Sequence, residues 1–428
     1  MAFDVSVEDL FGAGNLASTL AQNERDANTL ANTPTNFPYT ESYKGSGGIN
    51  VPGLIETVGV DQAISLFASE MSTRLTNRST NLDYIAYELK RAAWRYSATD
   101  RATADKLADQ HSRIENYGGY TGYSVDPIAN ATDFPAGETP DTGLPAHKET
   151  DVRKIIGESE GILTDIDTYI QQGTKWLHDN VTHSGNPEGW SPLEQVVGPL
   201  LGNWAELERA GECFNKAGTA SEAAAATYKA GNSQLSLTWY GSAADAYQDY
   251  GDRLAKAMEW EGPIGRIAEA VLVATSEQAQ AAATALLTFL NAKFQEVIID
   301  RGLRTFLETA VTKLAPGVGW FTLLRDIGKW YDLGTDIWNI YQEATAMIEE
   351  IEQLLVDANA VLEALQNPKD AVANEIQQRI DTVKEHIDQN KERLELAIDI
   401  GRASDVTAVT NAPDQNYTAP TGAAAWEA

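Results

Sequence analysis

The sequence predicts an all-α protein built from long antiparallel helical hairpins that form a bundle, with a C-terminal coiled-coil hairpin. Apolar residues recur at three- and four-residue steps over most of the chain, and no stretch of any length alternates apolar with polar residues as a half-buried strand would. Two C-terminal segments narrow that period to an alternation of four and three.

Taken in order, residues 5 to 31 read as a helix with Leu10, Leu16, Leu20 and Leu30 on one face. The following "TPTNFPYTESYKGSGGINVPG" is dense in Pro, Gly, Ser and Thr and reads as a loop. A second helix runs from about Asp61 to Gln110, carrying Ile64, Phe67, Met71, Leu75, Leu82, Ile85 and Leu89 at helical steps, so residues 1–112 form a helical hairpin. Residues 113–150 are rich in Gly, Pro and Tyr and lose the helical period for over thirty residues, as a linker or a strap across the helices would. Helical period returns over Asp151 to Asn180 and Pro192 to Leu237. It resumes from Ser242 to near Ile299, with a kink expected at Gly262-Pro263, and 151–300 make the second helical unit.

Within residues 301–400, Ile337, Tyr341, Ala344, Ile348, Ile351, Leu355, Ala358, Leu362 and Leu365 form an a/d seam. Asn367-Pro368 ends it, and Ile376, Ile380, Val383, Ile387, Asn390 and Leu394 form another, so the two arms predict an antiparallel coiled-coil hairpin or a self-associating surface. Residues 401–428 are poor in apolar pattern and read as a flexible tail.

Composition narrows the function. At 428 residues the chain exceeds what one core serves, so two or three units are expected. A formal net charge of −30 argues against a broad grip on nucleic acid and is repelled by an anionic membrane surface; what it supplies is solvation. Cys213, the one cysteine, cannot form an internal disulfide and reads as a small buried residue. "MAFDVSVEDLFGAGN" lacks the basic start and apolar core of a signal peptide, so export would proceed without a cleaved one. The most apolar region, "FLETAVTKLAPGVGWFTLLRDIGKW", is broken by Lys313, Pro316, Arg325 and Asp326, short of the roughly 18 apolar residues of a membrane span.

Three patterns mimic chemical sites. "GESEG" around Ser159 satisfies G-x-S-x-G but sits in helical period, without the strand that a nucleophile elbow needs. His178 and His183 are five apart, where a zinc helix places them four apart, and no third ligand is evident. "LAPGVGWF" lacks the Lys and Ser/Thr of a phosphate loop and reads as a helix break. These observations point to no catalytic residue, metal or cofactor.

Two other motifs stand out. "SLTWYGSAADAY" places Trp239 and Gly241 in a turn, where Gly241 permits a backbone that a Cβ resists and Ser242 with Asp245 forms a capping box for the next helix. "AAWRYSATD" places Tyr96 and Asp100 one turn apart on one helical face.

The W-x-G-S-A-A-D-x-Y turn, in an alanine-rich hairpin over roughly residues 195 to 300, resembles the WxG family of type VII (ESX) secretion substrates of actinobacteria and related bacteria, especially secretion-associated proteins of the EspA kind. Residues 1 to 110, with Y-x-x-x-D closing the second helix, resemble the EspC-like proteins, from which the longer Pro/Gly-rich loop at 33 to 58 departs. The resemblance implies a non-enzymatic exported protein, structural or secretion-associated, acting in the cell envelope or outside the cell. Tyr96, Asp100, Trp239 and Gly241 would then be read by a secretion ATPase or a chaperone. It also implies that Trp239 and the Tyr96 helix end are neighbours, and that the exported chain meets other secretion-associated proteins or copies of itself. The alternatives are a membrane-perturbing effector and an unrelated helical scaffold.

Overall fold

Ser6 starts the first helix. Its hydroxyl accepts the Asp9 amide at 3.1 Å, satisfying one of the amides that a helix start leaves open. The computed structural model describes residues 6–39, 43–44, 50–51, 53–97, 127–147, 202–294, 327–366, 390–405, 407–413 and 417, with isolated positions between 171 and 200 and at 296.

Helix α1 (Val7–Asn32) buries Leu10, Leu16, Leu20 and Leu30, the face its spacing predicts. A 3-10 turn, Thr33–Asn36, ends it, and the loop then holds a two-residue antiparallel pairing, β1 (Tyr43–Lys44) with β2 (Asn50–Val51), which the sequence pattern does not announce. After the short α2 (Leu54–Val58), Gly59 at φ +81° turns the chain into α3 (Val60–Tyr96). All seven apolar residues expected on the second helix are buried, and α3 packs along α1.

The second hairpin is α4 (Trp204–Leu235) and α5 (Ser242–Phe294). The helix expected from Pro192 is interrupted at Asn203, whose ψ of 74° is not helical and whose amide donates to the Tyr39 carbonyl at 3.0 Å; α4 starts just after it. Helix α5 continues through Gly262-Pro263 as one helix. The two helices approach backbone to backbone: a Cβ on Gly218 would stand 2.3 Å from the Glu261 carbonyl oxygen, and one on Gly265 would stand 2.3 Å from that of Phe214.

Helix α1 also packs along α4, so the two hairpins join in one four-helix body. They share both cores: Phe67 meets Phe214 edge-on at 4.7 Å in one, and Leu16 lies with Tyr228 and Trp239 in the other. Units that are separate in sequence are therefore not separate in packing.

Helix α6 (Ile327–Gln366) packs on α3 and α5. Its seam residues Ala344, Ile351, Leu355, Ala358, Leu362 and Leu365 are buried, and Tyr341 and Ile348 are partly so, within the same core as Phe67 and Ile264. The described part of this seam is thus covered by the chain's own bundle; the 376–387 part of the second seam lies outside the described residues.

The expected flexible tail is a correction in part. After α7 (Asn390–Ala403) and α8 (Thr407–Thr410), the Asn81 side chain donates to the Pro413 carbonyl and Tyr417 is buried against Tyr247 and Tyr250. Tyr417 and the Pro413 carbonyl thus tie this pattern-poor segment to the bundle. Residues 127–147 lie on the helices as a strap, held through Phe134, Thr132, Asp141 and Pro145. The tyrosines expected to hold it lie outside the described residues.

Candidate functional site at the Trp239 turn

Helix α4 gives way as the Leu237 amide donates to Gln234 and the Thr238 and Trp239 amides to Leu235, each at 3.1 Å. Gly241 follows at φ +115°, a conformation that residues with a Cβ rarely adopt. Its carbonyl accepts the Asp245 amide at 3.0 Å, the first i to i+4 bond of α5, so Gly241 is the cap and Ser242 the first helical residue. The cap is thus a glycine with no side chain to accept, and Ser242 stands one position too late to head the expected Ser242–Asp245 capping box.

Trp239 is turned inward and is 4% exposed. Its ring lies 5.5 Å from that of Tyr247, whose hydroxyl donates to Asn232 Oδ1 at 2.5 Å, and Tyr417 packs at 5.8 Å from Tyr247 and 5.2 Å from Tyr250. Burial pushes the Tyr228 phenol up to about 12 and that of Tyr247 well above its ordinary value. These phenols stay protonated at neutral pH, so the cluster offers shape and hydrogen-bonding groups rather than a titrating acid or base.

Tyr96, at the end of α3, packs against the same core. Burial pushes its phenol up to about 12, and the Trp239 indole works against that rise, which places the two polar groups within reach of one another. The indole N–H is buried without a hydrogen bond of regular geometry, so the contact is one of packing and proximity. Trp239 of the second hairpin thus meets Tyr96 of the first at one end of the bundle. Asp100 lies outside the described residues, as do Ser159, His178, His183 and residues 314–321.

The beginning of α1 closes the other side of the turn. The Ser6 amide donates to the Thr238 carbonyl at 3.1 Å, and the Thr238 hydroxyl donates to Asp9 Oδ2 at 2.6 Å. The Thr132 hydroxyl donates to the other Asp9 oxygen, which ties in the strap. Burial would raise the Asp9 carboxyl, but hydrogen bonds from Thr132, Thr238 and Ser6 outweigh it and hold the acid below its ordinary value.

What the turn shows to solvent is Leu237, 70% exposed, and Tyr240, 46% exposed, with the Tyr240 hydroxyl donating to the Leu237 carbonyl at 2.7 Å. Sequence reasoning singles out Trp239 and passes over these two. Their exposure follows from the inward rotation of Trp239, which no local pattern encodes. Cys213 is buried and its thiol is pushed up to about 12 by burial, so it is not a ready thiolate. Among the described residues no group of His, Cys, Asp and Glu is arranged to hold a metal ion, and no helix is long and apolar enough to cross a membrane.

Comparison with known protein families, with curated proteins and with solved structures gave no match.

Proposed function

We propose that this chain is a substrate of a type VII (ESX) secretion system: a non-enzymatic structural or secretion-associated component, exported without a cleaved signal peptide to the cell envelope or beyond. The observation that carries the reading is the meeting of Trp239 and Tyr96, contributed by different hairpins, at one end of the four-helix body. In this reading the pair, with Gly241 and Asp100, makes one composite export signal. Joining both halves in one chain raises their effective concentration for each other without any new contact.

The burial of Trp239 divides the roles within that signal. Trp239 and Gly241 set the shape of the turn, while Leu237 and Tyr240 are what a secretion ATPase or chaperone would touch. The test is export of Leu237→Ser and Tyr240→Ser from the native host, comparing culture filtrate with lysate. Both variants should fold as the wild type does, because neither side chain is buried, and both should be retained in the cells. Undiminished export of the double variant would remove the turn from the recognition surface.

A further inference from the structure

The two hydrophobic cores are separated by one polar layer, to which every helix of the four-helix body contributes. Along α1 the two cores are separated between Ala21 and Ala27, where Glu24 stands. Along α3 they part between Leu75 and Leu82, where Arg78 stands. Along α4 the division is Ala220 to Ala224, at Ser221, and along α5 it falls beside Glu261. Glu24, Ser221 and Glu261 are fully buried and Arg78 nearly so.

The ion pairs in this layer are concentrated on one of its two acids. Glu261 takes Arg74 at 2.7 and 3.1 Å and Arg78 at 2.7 Å, so these two arginines of the first hairpin are committed to one acid of the second. That leaves both Glu24 carboxyl oxygens, Arg78 Nη1 and the Ser221 hydroxyl buried with no completed hydrogen bond. The groups that face Glu24 from the packed elements are Arg78 of α3 and Glu261 of α5, while α4 presents only Ser221, which does not titrate, and Arg74 reaches the layer through Glu261. A neutral Glu24 is tolerable there; an ionised one is fully buried beside a second carboxylate, and Arg78 and the Ser221 hydroxyl offset that cost only in part.

We propose that the Glu24 layer is a proton-operated latch between the two hairpins, closed while Glu24 carries its proton and loosened, by entry of water between α1 and α4, when it ionises. The hairpins are the parts that move because Glu24 and both arginines belong to the first, and Ser221 and Glu261 to the second. Burial, the largest influence, raises the Glu24 carboxyl from 4.5 to about 7, against the pull of Arg78 and of the Ser221 hydroxyl. The acid is therefore weaker in the closed body than in water, and rising pH favours the open form. From those two values, opening becomes about tenfold more frequent between pH 6 and pH 8.

The experiment is amide hydrogen exchange on the full chain at pH 6 and pH 8, corrected for the intrinsic pH dependence of exchange, for the wild type, Glu24→Gln and Glu24→Leu. Amides of α1 and α4 flanking the layer should lose about tenfold protection in the wild type across that range. Neither neutral variant should show that loss. Two neutral replacements of different polarity keep the test open should one of them pack poorly. The same loss in wild type and variants would overturn the proposal, as would a wild-type loss confined to one hairpin.

Discussion

A backbone-to-backbone approach between α4 and α5 gives a prediction whose sign is informative. Gly218→Ala places a methyl group 2.3 Å from the Glu261 carbonyl oxygen and 3.1 Å from its carbon, both backbone atoms that no rotamer change can move aside. Ordinary contact between heavy atoms needs about 3.5 Å, so the helices must part by about 1 Å at this point. Such overpacking costs about 1–3 kcal/mol, and displacement of Glu261 from Arg74 and Arg78 pushes towards the upper end. Alanine returns up to about 1 kcal/mol through helix propensity, which leaves a net loss of about 1–2 kcal/mol. The control is Gly401→Ala in α7, where a Cβ meets nothing within 4 Å and propensity alone acts, for a gain of up to about 1 kcal/mol. Urea unfolding followed by helical circular dichroism measures both midpoints. If Gly218→Ala stabilised the protein as Gly401→Ala does, the backbone-to-backbone packing of the second hairpin would be refuted.

Two further outcomes follow from the buried charges and the docked tail. Glu261→Gln leaves Arg74 and Arg78 without their carboxylate and should cost about 3–5 kcal/mol at neutral pH. Although burial opposes it, the two arginines hold Glu261 below the ordinary carboxylate value, so its contribution is present above that value and is lost as the pH falls through the lower, folded-state value; a urea series from pH 7 to pH 3 should show the gap between wild type and variant closing. Tyr417→Ala removes the ring packed on Tyr247 and Tyr250 and should open residues 407–417 to limited proteolysis while the helical circular dichroism is unchanged. Cleavage rates equal to wild type there would show that Tyr417 does not hold the tail.

The helical faces were legible because each core position repeats a local spacing: every apolar residue named on the first two helices is buried. The a/d seam of α6 was legible as an apolar stripe but not in its partner, since a heptad pattern states that a face is buried and not what buries it; here α3 and α5 do. The polar layer left a trace that periodicity alone does not interpret. Arg78 fills the gap between Leu75 and Leu82, and Glu24 lies four residues after Leu20, both on core faces, but only tertiary structure shows that they share a level. At the candidate site, the turn and its glycine were readable from Trp239 to Gly241. The inward rotation of Trp239 and the docking of Tyr417 depend on contacts between residues up to 170 apart in number, as for Tyr247 and Tyr417, which no local pattern encodes.

The central claim, that Tyr96 and Trp239 together form an export signal, is tested most directly by secretion from the native host of the wild type, Tyr96→Ala and Trp239→Ala, each first shown to be folded by circular dichroism. The wild type is expected in the culture filtrate, with both folded variants held in the cell lysate. Equal export of all three, or a wild type that never leaves the cell, would contradict the account and return the Trp239 turn to a packed corner of a helical bundle.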